Sequence, residues 1–371
     1  MNPTPSNRRL TRRRLGRIRG ATLAALGFVA VVGAVVAWFL IDRPEASLTP
    51  TQGTAAQEQI DEELGELQRD FQTAMQEKLD VSRIAGRARA FTERHPDEPA
   101  GHVLLAQVRT AMQSWESAYA AWTKALAYDP DAFELCKMAG VTAAKLGRYE
   151  QSLIHYQDAV EATDDRADAE VYAALGRLHL ALGDPDAAEA MFVRAIDAPG
   201  PGDQTNWKHE AHAGLADVAS VRGRFDEAIE RIDRAIKLAR IDSAADLAGY
   251  RIQKARIYID ADRDDDAVTM LGYTWSEHPR ALWRIESASL RARLYKRAGE
   301  LDKAADHIQS VTEWHRMADD RDEAVLADFT ALLADWQIQA NRIDAARISL
   351  HNLQTLAPEH PDIAPIQAKL P

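Results

Sequence analysis

Between residues 99 and 360 one arrangement of small and large side chains returns seven times. A small residue stands at Ala118, Ser152, Ala188, Ala228, Ala267, Ala304 and Ala346. Four places on comes a larger one: Trp122, Tyr156, Phe192, Ile232, Leu271, Ile308 and Leu350. Seven places on stand Ala125, Ala159, Ala195, Ala235, Thr274, Val311 and Leu353; twelve places before stand Ala106, Gly140, Gly176, Ala216, Ala255, Ala292 and Ala334. The anchors are 34, 36, 40, 39, 37 and 42 residues apart. Offsets of four and seven share one helical face. Two antiparallel helices approach closely only where side chains are small, so the column from Ala106 to Ala334 marks the first helix of each pair. The column from Ala118 to Ala346 marks the second. The larger residue is expected to fill the gap toward the next unit. Gly147, Gly183, Gly223 and Gly299 fall between the columns, where a helix end turns left-handed without a Cβ clash. One pair cannot bury its apolar face, so stability must come from stacking neighbours.

The third unit reads Tyr172-x2-Leu175-Gly176-x2-His179, then Gly183, then Ala188-x3-Phe192. It resembles the tetratricopeptide repeat family, whose pattern is W-x2-L-G-x2-Y, A-x3-F and P at a period of 34. The resemblance covers residues 99–360 and implies an all-α fold, a right-handed solenoid of about seven helix pairs. Later units carry Ile or Leu where the aromatic belongs, and their spacing stretches. Pro199-Gly-Pro-Gly-Asp203 is the clearest interruption, a loop, with a bend expected near 199–208.

Residues 21–41 carry no charge, and at 1.5 Å per residue span about 31 Å, the thickness of a hydrocarbon core. A cleaved secretory signal has a shorter apolar run and a small-x-small end. This run closes on Trp38-Phe39-Leu40-Ile41, so a retained single-pass anchor is expected. Seven arginines precede residue 20, making 1–20 a basic tail that stays in the cytoplasm. The body then faces the periplasm or its equivalent, which places the chain in a bacterial inner membrane. Residues 42–56, rich in Pro, Ser, Thr and Gly, read as a flexible linker. Lead helices are expected over 57–98: Ile60, Leu64, Leu67, Phe71 and Ala74 form a short seam for packing on the first repeat, and His95-Pro96 ends a second helix.

Residues 1–43 hold eight arginines and one aspartate, net +7 in a chain of −12, which leaves −19 on the rest. An acidic body excludes nonspecific nucleic-acid binding. Cys136 is unique, so no intrachain disulfide exists, and it is read as a packing residue. His209-Glu210-Ala211-His212 has the wrong spacing for a zinc helix and is read as a surface pair. Asp260-x-Asp262-x-Asp264 lacks the glycine and glutamate of a calcium loop and falls at an intra-repeat turn. No nucleophile, phosphate or dinucleotide motif is present, and no cofactor, metal or enzymatic activity is expected.

The resemblance implies a binding scaffold with a concave groove lined by the first helices. The exposed stripe there should be the residue after each first-helix small residue and those four before and after it. Over seven units it holds six basic residues, Lys137, Lys145, Arg177, Arg256, Arg293 and Arg297, against Asp217, Asp260 and Asp335. That bias toward cations suits an acidic segment or a C-terminal carboxylate of a protein or peptide partner. An adaptor in envelope complex assembly is the first expectation, a holdase-like chaperone for exported proteins the alternative. The oligomeric state is not legible.

Overall fold

The computed structural model describes residues 55–163, 167–198, 205–239, 244–277, 281–318 and 321–371. The expected basic tail, membrane anchor and nearly all of the expected linker lie outside them; among the described residues no helix is long and apolar enough to cross a membrane. Every regular element described is a helix, and the chain forms two compact units, one ending at Gly202 and one beginning at Asp203.

The first unit contains α1 (Ala55–Glu77), α2 (Ser82–Arg94), α3 (Pro99–Ala111), α4 (Trp115–Leu126), α5 (Phe133–Lys145), α6 (Tyr149–Glu161), α7 (Ala169–Ala181) and α8 (Pro185–Asp197). The second contains α9 (Thr205–Val221), α10 (Phe225–Leu238), α11 (Ala244–Asp260), α12 (Asp264–Glu277), α13 (Ala281–Arg297), α14 (Leu301–Arg316), α15 (Glu323–Gln339), α16 (Ile343–Leu356) and the short α17 (Ile363–Gln367). The expected loop, 199–203, lies outside the described residues, and α9 begins just after it at Thr205.

The seven pairs run from α3/α4 to α15/α16, and their columns are the core. Each anchor from Ala118 to Ala346, each larger residue from Trp122 to Leu350 and each residue from Ala125 to Leu353 is buried. The first-helix small column is buried as well. The larger residue shares a core with the next pair, as Ile232 does with Tyr250 and Ile257 and Ile308 with Phe329 and Leu333. It also lies against the small residue of its own pair: a Cβ on Gly140 would stand 2.9 Å from the Tyr156 ring, and one on Gly176 2.6 Å from the Phe192 ring. Where the anchor is Ser152, its hydroxyl donates to the Gly140 carbonyl at 2.7 Å, which satisfies a polar group that is fully buried.

Each pair turns in the same way. Seven places after the first-helix small residue the backbone enters the left-handed region: Gln113, Gly147, Gly183, Gly223, Asp262, Gly299 and Asn341. The next N–H bonds back to the carbonyl five residues earlier, as from Arg148 to Ala143 at 3.0 Å and from Arg342 to Gln337 at 2.8 Å. This double-backed helix end satisfies carbonyls that would otherwise be orphaned. Asp262 holds such a turn, so the acidic run around it is turn chemistry.

The lead helices close with the same turn. Lys78 has φ 56°, and the Leu79 N–H reaches the Ala74 carbonyl at 2.8 Å. Seven places before Lys78, where the other pairs have Gly or Ala, stands Phe71. A ring at that place prevents close approach, and α2 begins two residues later after its turn than the other second helices do. Leu64, Leu67 and Phe71 instead share a core with Ile84, Phe91, Leu104 and Val108, which seats the pair on α3.

Candidate partner-binding face

The stripe surfaces only in part. Four before the central position the chain is buried at Lys137, Ala173, Ala213, Ile252 and Ala331, contrary to expectation. That position faces the neighbouring first helix, as the contacts of Lys137 show. Four after the central position, Ala181, Val221, Asp260, Arg297 and Gln339 are exposed. The accessible face therefore opens toward the C-terminal ends of the first helices.

In the first unit Lys137 of α5 extends to α7. Its ammonium lies 2.6 Å from Glu170 and 3.2 Å from Asp168. Burial alone would pull its pKa down; Glu170, Asp168 and Glu134 outweigh this and raise it. Burial raises Glu134 against the pull of Lys137. Lys137 is thus committed to an internal network and is not offered to a partner. Two turns along α5, Lys145 lies over the Trp115 ring, 5.9 Å from its centre. Burial and the charge of Arg177 on α7 lower its pKa. Lys145 makes no ion pair among the described residues, so two cations meet here on adjacent helices.

In the second unit Arg256 of α11 bonds Glu286 of α13. Burial raises the Glu286 pKa in spite of Arg256. Arg293, two turns along α13, is exposed, yet desolvation by the surrounding protein and the charge of Arg256 lower its pKa. Arg297 donates from Nε to Asp264 at 2.6 Å, tying the end of α13 to the start of α12, so it belongs to the turn and not to the face.

The two acceptors, Glu170 and Glu286, were not read as part of the face. Their signal is a Glu seven before an Arg, with the small residue six after the Glu, in two first helices. His209 and His212, expected at the surface, are both buried. His209 is hydrogen-bonded to the Tyr250 hydroxyl at 2.5 Å, and burial holds it down at about 4. Among the described residues no group of His, Cys, Asp or Glu could hold a metal. Cys136 is buried, and burial first, then nearby aspartates, push its thiol up to about 11, so it is a poor nucleophile.

Helix pairs with one small–large register, one turn and a charged first-helix face define a repeat protein of the binding-scaffold class. Two family models described as tetratricopeptide repeat match residues 134–199 and 173–246. Residues 134–246 are thus tetratricopeptide repeats by sequence. A tetratricopeptide repeat protein of known structure from Parabacteroides merdae is similar at TM-score 0.56 and 16% identity, covering 72% of this chain and 97% of that one. PilW, a type IV pilus biogenesis factor, aligns at TM-score 0.49 and 18% identity over 60% of this chain and 95% of its own. Pseudomonas aeruginosa pilF aligns at 0.47 and 18%, over 61% and 97%. No curated protein matches the sequence.

Proposed function

We propose that this chain is a membrane-anchored scaffold that holds an acidic segment of a partner protein on its first-helix faces, in the assembly of an envelope complex. One observation carries the reading: in an acid-rich body, the charge of Arg177 reaches Lys145 and that of Arg256 reaches Arg293, so cations gather on the first-helix faces. Gathered cations favour an anionic segment over a neutral one. The anchor rests on the charge-free run of residues 21–41, and the orientation on the arginines before it.

A photo-crosslinking residue at exposed Ala181 on α7 tests the face, with exposed Ile154 on the second helix α6 as control. A single partner of fixed stoichiometry crosslinked from 181 and not from 154 supports the scaffold. Equal labelling from both overturns the face, and a spread of unfolded chains favours the holdase. For the anchor, a reporter active only outside the cytoplasm, fused after Pro371, is expected to be active; a signal from a cytoplasm-only reporter reverses the orientation.

A further inference from the structure

The second helices of the pairs are not alike in charge. α2 carries Arg83, Arg87, Arg89 and Arg94 against Glu93, net +3. None of the other second helices, α4 to α16, is net basic; they range from zero in α4 to −4 in α12. The helix paired with α2 is the reverse, since α1 has seven carboxylates against Arg69, net −6. The lead pair is therefore polarised, basic on one helix and acidic on the other.

Ile84, Ala85, Ala88, Phe91 and Thr92 define the core side of α2. At about 100° per residue, the line opposite them runs through Gly86 and Ala90, both exposed. A Cβ on Gly86 would meet nothing within 4 Å. Exposed Arg83, Arg87 and Arg94 flank this line on one side and exposed Arg89 on the other. Arginines thus rim a strip that has almost no side chain, so all of them can reach a flat surface laid against it. Arg87 bonds Asp70 and Arg94 bonds Glu63 at 2.9 Å, both on α1, while Arg89 bonds Glu93 at 2.8 Å. Arg83 makes no ion pair among the described residues. Exposed pairs of this kind are weak, and a guanidinium has five N–H donors, so the pairs aim the arginines without saturating them.

The chain sets what lies within reach. The 13 residues 42–54 separate the charge-free run from α1 and span at most about 45 Å. α1 has 23 residues and is about 34 Å long, so either end of the lead pair can touch the bilayer. An anionic lipid surface attracts α2 and repels α1, which decides the side that faces it. Guanidinium groups suit lipid phosphates, which they bind bidentately.

We infer that the outer face of α2 rests on anionic phospholipid headgroups of the membrane that carries the chain, with the acidic side of α1 turned away. This rests on the anchor reading above and adds how the first unit lies on the bilayer.

The test is a dye on Ala90→Cys in the full chain, held in nanodiscs whose lipids carry a headgroup quencher. Cys136 is buried and its thiol is pushed up to about 11, so only position 90 takes the dye. Quenching is expected in discs of equal phosphatidylcholine and phosphatidylglycerol, and is expected to be lost in phosphatidylcholine alone or in high salt. A dye on Ile154→Cys, exposed on acidic α6, should be unquenched in both. Arg83→Gln with Arg89→Gln breaks no contact with α1 and should lose the quenching at 90, with helix content unchanged by circular dichroism. The lipid and salt dependence of the chain with all its arginines decides the question even if that variant folds poorly. No quenching at 90, equal quenching at 90 and 154, or equal quenching in both lipids overturns the inference. The anchor reading then still stands if the chain co-elutes with the discs. A chain that does not co-elute overturns both.

Discussion

The Phe192 ring lies where a Cβ on Gly176 would be, 2.6 Å from the nearest ring carbon. Gly176→Ala is therefore expected to destabilise the first unit by about 1–3 kcal/mol through overpacking. The fourth pair shows the remedy, since Ala216 there accompanies Ile232. Adding Phe192→Ile should recover part of the loss, giving a favourable coupling in a double-mutant cycle measured by denaturant unfolding. Equal losses with no coupling would mean the two side chains do not share that space.

Turn residues give an opposite pair of effects. A Cβ on Gly183 would meet nothing within 4 Å, yet its φ is +86°. Gly183→Ala should cost about 1–2 kcal/mol from backbone strain alone. Gln113 already bears that strain at φ 56°, so Gln113→Gly should stabilise by up to about 1 kcal/mol. Melting temperatures moving in the same direction for both would refute the common turn.

The small and large columns were legible because their spacing is set by local helix geometry, and every one of them is buried. Gln113 and Lys78 were not legible as turn residues: nothing in their chemistry asks for a left-handed backbone, and the hydrogen bonds of the helix end impose it. Phe71 hid the lead pair by occupying the column that defines the others. The candidate face was half legible. Charge type and register locate Arg177 and Arg293. That Lys137 turns inward depends on Glu170, 33 residues away, and on how closely α5 and α7 lie.

Lys137→Met leaves Asp168, Glu170 and Glu134 crowded without their cation. Removing one partner of a buried pair costs about 3–5 kcal/mol, and the variant should approach that loss at neutral pH. The Glu134 carboxyl, raised by burial even beside Lys137, would rise further in the folded variant. Stability then returns as pH falls through that window, since the folded state binds more protons. Unfolding midpoints that do not recover between pH 7 and pH 4 would argue against the network.

His209 and His307 in the second unit are both held at about 4, His209 by burial and His307 by burial and then Arg291. Folded values below the unfolded value of about 6.5 mean that the stabilising contribution is present above pH 6.5. It is lost as pH falls toward 4, by at most about 1.4 kcal/mol per pH unit for each histidine. Hydrogen exchange should show α9 and α11 loosening over this range, and His209→Phe should flatten the slope while losing the bond to Tyr250. An unaltered slope would remove His209 from the account.

The stacking of Tyr156 on Gly140 and of Phe192 on Gly176 joins residues only 16 apart in the chain. A core assembled from such short-range contacts has a low contact order, and the loop closed to make each one costs little entropy. Each pair can find its internal register as soon as its own second helix has left the ribosome, before the next pair exists. Synthesis can then lengthen the array one docked hairpin at a time, with little unburied apolar surface waiting for a distant partner.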